Sequence, residues 1–216
     1  QTIDIYEEAE VSASTRAPGN SRGKGPRVED FEYTITQVAR ILPVEVNGQT
    51  VQANDIVISG NRAVIGYNTA GSVFNGAIQV VDISTPRRPV ITAELAFPNV
   101  DITTLAVSGD TLYFGGGIEP GVYSNERAFI ASFDLTDLSG ANLAGETINA
   151  SASLDPDSGT FFFTTGIAIK DGTVYASAGA DAGGVLELNE ALEPTLLLDS
   201  NANPDVYDIR DIDQYH

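Results

Sequence analysis

Three segments of the chain share one pattern, in which two apolar, strand-forming runs are separated by a two-residue turn. The segments lie at residues 54–65, 103–114 and 165–176. Short runs rich in valine, isoleucine, threonine and tyrosine are typical of β-strands. A glycine in each turn supplies the positive φ angle that a tight hairpin needs. The pattern therefore predicts three antiparallel hairpins, with turns at Gly60-Asn61, Gly109-Asp110 and Asp171-Gly172.

A third apolar run follows each hairpin, and a fourth run follows the third in the first and third copies. In the first copy these runs cover residues 77–83 and 90–95, with Pro86 and Pro89 between them. Proline cannot donate to the hydrogen bonds of a sheet, so the pair marks a turn between strands. The third runs of the other copies lie at residues 128–135 and 184–189. Four strands per repeat are typical of a propeller blade, so we expect an all-β propeller of four-stranded blades.

The repeats divide the chain into a tail and a series of blades. Residues 1–30 begin with acidic side chains and continue with glycine and proline, which predicts a tail that is flexible or docked on a partner. Residues 31–216 are predicted to form the propeller. Its parts are a closing strand, three blades and the start of a fourth, at residues 31–50, 51–99, 100–160, 161–204 and 205–216.

Three repeats are too few for a closed propeller. Propellers typically close with roughly four to eight blades, so we expect this array to be part of a longer propeller. Another protein or the remainder of the polypeptide is the expected partner that completes it. The spacing between copies is uneven, and the surplus at residues 117–126 and 136–160 is predicted to form loop insertions.

The first repeat also resembles that of a known family. Residues 78–90 predict a strand that ends in the turn Asp-Ile-Ser-Thr-Pro, with a second proline three residues later. This pattern resembles the LVIVD-repeat family of bacterial and archaeal secreted or surface β-propellers. The resemblance covers residues 50–216, and the first unit alone carries the full pattern. It implies a propeller at the cell envelope or outside it, and it carries no catalytic motif.

Charge and composition narrow the classes of partner. The chain has 30 acidic and 11 basic residues and a formal net charge of −19, so its surface repels phosphate backbones. We therefore expect no nucleic-acid partner. No apolar run approaches the roughly 18 residues of a membrane-spanning helix, so we expect no membrane insertion. Cysteine is absent, which excludes thiolate chemistry and is compatible with an extracellular, cell-surface or periplasmic location.

Few residues are candidates for catalysis. The single histidine is His216, at a position that is rarely ordered enough to orient an imidazole. No nucleophile elbow, zinc-protease helix or phosphate-binding loop is present. The run Gly115, Gly116 and Gly117 is predicted to be a strand-end loop. The sequence therefore favours a non-catalytic protein over an enzyme, and no organic cofactor is expected.

Carboxylates are the remaining candidate chemistry. Asp205, Asp208, Asp211 and Asp213 lie close together in the sequence, and Ca²⁺ binds roughly six to eight oxygen ligands. These four residues are the predicted ligands of a Ca²⁺ site, and solvated loop carboxylates are the alternative interpretation.

The combined prediction is an envelope or extracellular propeller that binds another protein or acts as a scaffold. Two other functions stay open. One is a carbohydrate-active or other hydrolytic enzyme that uses loop carboxylates. The other is an adhesion module stabilised by Ca²⁺.

Overall fold

The computed structural model describes residues 3–13, 33–119, 121–122, 127–137, 150–153, 163–179 and 183–199. Within these ranges the chain is all-β, as predicted, and its strands form antiparallel sheets of two or four strands. No helix in the described ranges has the length and hydropathy to cross a bilayer.

Two small sheets come first in the chain. The first consists of β1 (Ile3–Ala13) and β2 (Tyr33–Ile41), and the second consists of β3 (Glu45–Val46) and β4 (Gln49–Thr50).

Three four-stranded sheets follow, one for each repeat. The first sheet contains β5 (Gln52–Ser59), β6 (Arg62–Asn68), β7 (Asn75–Asp82) and β8 (Val90–Pro98). The second sheet contains β9 (Val100–Ser108), β10 (Thr111–Ile118), β11 (Ala128–Asp134) and β12 (Ala150–Ser153). The third sheet contains β13 (Phe163–Lys170), β14 (Thr173–Gly179), β15 (Gly184–Leu188) and β16 (Pro194–Asp199).

Each repeat is a meander in which every strand pairs with its neighbour in sequence. The predicted hairpin turns are confirmed by their backbone angles. Gly60 and Gly109 have φ angles of 57° and 61°. Asp171 and Gly172 both have positive φ angles, 51° and 84°, as a type I′ turn requires.

The first strand of each repeat carries a β-bulge at the same place. The residues that fall out of register are Asn54, Thr103 and Thr165. A bulge turns one residue out of the ladder, so its side chain can reach another sheet. Asn54 Nδ2 donates to the carbonyl oxygen of Thr103 at 3.1 Å, and the Thr103 hydroxyl donates to the carbonyl oxygen of Thr164. These bonds link the first strands of consecutive sheets.

Aliphatic and aromatic cores fill the two spaces between the sheets. The core between the first and second sheets includes Val64, Ile78, Leu95, Leu105 and Phe114. The core between the second and third sheets includes Ile130, Ile167, Val174, Leu186 and Leu188. A third core lies on the opposite face of the first sheet, where Val44, Val46 and Val51 cover Ala63, Ile65, Tyr67, Ala77 and Val81.

The third strand of each repeat ends in the same side-chain turn. Asp82 accepts the backbone N–H of Ser84 at 2.8 Å, and Asp134 accepts that of Thr136 at 2.7 Å. Asn189 accepts the N–H of Ala191 at 3.0 Å in the third sheet. Hydrogen bonds from Ser84 lower the pKa of Asp82, and those from Thr136 lower the pKa of Asp134. An Asp or Asn side chain that accepts the N–H two residues later therefore ends the third strand in all three repeats.

Residues 3–13 of the predicted tail form a strand. β1 pairs with β2, and the register places Ile3 opposite Ile41 and Val11 opposite Ile35. The sequence does contain the alternation of a strand, at Ile3 and Ile5, but the acidic run that follows interrupts it. Residues 14–30 of the predicted tail lie outside the described residues.

Two predicted loops contain strand residues. Gly115, Gly116 and Gly117 are internal to β10 and pair with β9 and β11, so the prediction of a strand-end loop is wrong. A β-carbon at Gly115 would lie 2.7 Å from Thr164 Cγ2, and one at Gly116 would lie 1.8 Å from the carbonyl oxygen of Asp101, so neighbouring strands leave no room for a side chain at these two positions. β12 lies inside residues 136–160, which were predicted to be an insertion. Its Ala-Ser-Ala-Ser sequence lacks the branched or aromatic residues that indicate a strand.

Candidate functional site

The predicted Ca²⁺ ligands lie in a part of the chain that the structure does not describe. Asp205, Asp208, Asp211 and Asp213 lie outside the described residues, as does His216. In the part of the chain that is described, no group of three or more His, Cys, Asp or Glu residues is placed to hold a metal ion. The Ca²⁺ site therefore stays a prediction.

A polar groove of about 340 Å³ opens at the end of the first sheet. We call it the amide groove. It is lined by Gln49, Thr50, Gln52, Thr69, Ala70 and Val73. One wall is the β3–β4 hairpin, which turns at Asn47 and Gly48, whose φ angles are 52° and 74°. The loop between β6 and β7 forms the other wall.

Side-chain amides join the two walls of the amide groove. Asn47 Nδ2 donates to Asn75 Oδ1 at 3.0 Å, and Asn75 Nδ2 donates to Gln49 Oε1 at 3.0 Å. Asn75 is 3% exposed, so its bonds are shielded from competing water. The network therefore holds the β3–β4 hairpin against the start of β7.

A buried carboxylate from the second sheet fixes the loop of the amide groove. Asp101 is 4% exposed, and its Oδ1 accepts the N–H groups of Thr69 and Asn75 at 3.2 and 3.1 Å. The Thr69 hydroxyl lies 3.3 Å from the same oxygen. Burial raises the pKa of Asp101, and these hydrogen bonds partly oppose the increase. Asp101 lies beneath the groove and positions its wall.

Two substitutions of Asp101 separate its charge from its hydrogen bonding. Asp101→Asn keeps an acceptor for both N–H groups and removes a buried charge. We therefore expect it to be at least as stable as the wild type at neutral pH. Asp101→Ala leaves both buried N–H groups without an acceptor and should cost about 1–3 kcal/mol of unfolding free energy. Urea unfolding measures both values, and an equal loss in the two variants would contradict this account.

The same pair predicts a pH dependence. The pKa of Asp101 is higher in the folded chain than in the unfolded chain, so the native state holds the proton more firmly. The stability that the raised pKa of Asp101 adds to the folded chain is therefore complete at acid pH. This stability is lost as the pH rises from about 3.9, the unfolded value, through the folded pKa. The stability difference between Asp101→Asn and the wild type should grow in favour of the variant over this interval.

A second groove, of about 410 Å³, lies at the opposite end of β6. It is lined by Asn61, Arg62, Asp82, Ser84, Thr92, Leu135 and Thr136. Arg62 Nη1 lies 2.8 Å from Asp110 Oδ1, and both side chains are exposed. An exposed ion pair of this kind contributes at most about 1 kcal/mol to the free energy of unfolding.

A chain of polar side chains crosses the first sheet between the grooves, from buried Tyr67 and Gln79 to exposed Glu94. The Tyr67 hydroxyl donates to Gln79 Oε1 at 2.5 Å, and Gln79 Nε2 donates to Glu94 Oε2 at 2.9 Å. Burial, and then the charge of Glu94, raise the pKa of Tyr67 to about 12. The phenol is therefore a neutral donor near pH 7, and this chain fixes side chains without exchanging protons.

None of these groups could be assigned from sequence motifs. Asp101 lies between Val100 and Ile102 in an alternation of polar and apolar residues that is ordinary for a strand, so no local signal marks it. Its partners Thr69 and Asn75 belong to another repeat, so their proximity depends on how the sheets pack.

No known protein-family model matches the chain, and a search of the curated proteins finds no similar sequence. The resemblance to the LVIVD-repeat family and the envelope location therefore stay predictions. The grooves and the packing of the sheets are the features from which a function can be inferred.

Proposed function

We propose that the chain is a series of β-propeller blades that acts as a non-catalytic protein-binding or scaffold module at the cell envelope or outside the cell. The observation that carries this proposal is the identical packing of consecutive repeats. β9 packs on the first sheet through β5, β6 and β7, and β13 packs on the second sheet through β9, β10 and β11.

This repeated relation supports a radial array over a sandwich. In a sandwich two sheets each bury one face against the other, so a third sheet that packs in the same way is not part of the arrangement. In a propeller every blade makes the same contact with its neighbour, with the first strand of each blade nearest the axis. The bulges at Asn54 and Thr103, which join first strands to first strands, fit the propeller arrangement.

The amide groove is the surface that best suits a protein ligand. Side-chain amides both donate and accept, as the backbone of an extended peptide does. Gln52 and Thr50 are exposed at the groove, and Val73, which is 44% exposed, offers an apolar contact. Because the chain carries a net charge of −19, electrostatics favour a basic peptide segment.

An arrayed peptide library and a glycan array test this function together. We expect the chain to bind basic, extended peptides. The double substitution of Gln52→Ala and Val73→Ser should weaken that binding by about tenfold or more, which corresponds to about 1.4 kcal/mol. Val90→Ser is the matched control, since Val90 is 56% exposed and lies outside the groove. Binding to glycans alone, or an equal loss in the control, would contradict the proposal.

A further inference from the structure

Two isoleucines on the first strand of the first sheet are unusually exposed. Ile56 and Ile58 are 57% and 65% exposed, and they lie side by side on one face of β5. The register places Ile56 opposite Ile65 and Ile58 opposite Ala63. Ile65 and Ala63 belong to the core that Val44, Val46 and Val51 cover. The exposed pair, which we call the head strip, therefore continues an established buried surface.

The other two repeats provide an internal comparison. In the second sheet the equivalent residues are Leu105 and Val107, and in the third they are Ile167 and Ile169. Leu105 and Ile167 are 7% and 8% exposed, and the other two pack against the same cores. The sequence therefore places aliphatic residues here in every repeat, and a neighbouring sheet covers them in two repeats out of three.

The covering surface is also repeated. Val57, Val64 and Ile78 of the first sheet pack in the core that contains Leu105. The equivalent residues of the second sheet, Ala106, Tyr113 and Ile130, pack in the core that contains Ile167. In the third sheet the same positions hold Ala168, Tyr175 and Val185, which we call the tail face.

One residue of the tail face is less buried than both of its counterparts. Val185 is half-buried, whereas Ile78 and Ile130, at the same position of the repeat, are 0% exposed. The molecule thus presents two parts of its own inter-sheet interface, the tail face on the third sheet and the head strip on the first sheet, beside the surface that Val44, Val46 and Val51 cover. We propose that the head strip binds the tail face of a second copy of this chain, so that copies assemble head to tail.

This proposal rests on the proposed function, in which each sheet packs on the next as propeller blades do. It names a second copy of the chain as the partner that continues this packing. The contact joins different surfaces of the two copies, so it is heterologous and closes into a ring or extends further according to its angle. Each copy carries a net charge of −19, so the copies repel one another while their apolar faces attract. Association should therefore strengthen with salt, the opposite of the response of an ion-paired interface.

Sedimentation velocity of the full chain tests the assembly. We expect oligomers whose apparent dissociation constant falls by about tenfold between about 20 mM and about 500 mM NaCl. The head variant Ile56→Thr with Ile58→Thr keeps β-branched residues in the strand and should be monomeric. Val90→Thr, at a site of similar exposure, should assemble as the wild type does.

A mixing experiment tests the polarity of the contact. The tail variant carries Tyr175→Thr and Val185→Thr, and it should also be monomeric. If circular dichroism shows that this pair disrupts the sheet, Val185→Thr alone replaces it. A mixture of head and tail variants retains one intact head strip and one intact tail face for each pair, so it should form dimers and nothing larger.

Several results would overturn the proposal. They are a monomeric wild type at every concentration and salt, a tail variant that still associates, and a mixture that stays monomeric. A loss of association with Val90→Thr would overturn it as well. Peptide binding at the amide groove is measured separately, so failure of the head-to-tail contact leaves the proposed function standing, and the converse also holds.

Discussion

Replacing Phe114 by alanine should lower the unfolding free energy by about 3–5 kcal/mol, the largest loss that we expect from one side chain. Phe114 is 0% exposed and lies in the core between the first and second sheets. Its ring centroid is 5.5 Å from that of Phe97, 5.9 Å from that of Phe133 and 6.1 Å from that of Phe129. Alanine would leave a cavity among three rings that belong to two sheets.

Urea unfolding followed by circular dichroism measures this loss. The control is Phe114→Leu, which keeps most of the volume and should cost less than about 1.5 kcal/mol. A loss below about 1 kcal/mol for Phe114→Ala would mean that the two sheets are not joined through this ring.

Gly116→Ala should be the second most destabilising change. A β-carbon at Gly116 would lie 1.8 Å from the carbonyl oxygen of Asp101, which is backbone and cannot turn aside. Because β9 and β10 would have to separate, we expect a loss of about 3 kcal/mol, at the upper end of overpacking effects.

Gly66→Ala is the matched control, since Gly66 also lies in the second strand of its sheet. The nearest atom to its added β-carbon is Leu105 Cδ1 at 3.3 Å, the end of a side chain that can move. We expect a loss below about 1 kcal/mol, measured by the same urea unfolding. Equal losses at Gly116 and Gly66 would show that the contact with the Asp101 carbonyl oxygen does not set the cost.

Local sequence was sufficient to predict the hairpins and the order of the strands. The turns at Gly60, Gly109 and Asp171 can be recognised from the sequence because few residue types adopt positive φ angles. Meander pairing joins neighbouring segments, so the third and fourth strands follow from the same local pattern. Segments without branched or aromatic residues, such as residues 150–153, gave no comparable signal.

The amide groove could not be predicted, because it depends on distances between repeats. Asp101 and its partner Asn75 are 26 residues apart, and nothing in either segment specifies the other. The glycines of β10 were misleading, because glycine usually weakens a strand and so predicts a loop. At Gly116 it instead permits the close approach of another backbone segment inside a strand. Both features follow from tertiary packing, which the strand pattern alone does not encode.

The meander connection of each repeat also bears on the order of folding, because pairing within a sheet is local and packing between sheets is not. Within a sheet, hydrogen bonds join strands that are neighbours in sequence, so little loop-closure entropy opposes their formation. The bonds between sheets span 49 residues from Asn54 to Thr103 and 61 residues from Thr103 to Thr164. Contacts of high sequence separation form late and slowly. We therefore expect the docking of one sheet on the next to limit the folding rate, and we expect the bulged residues to contribute at that step.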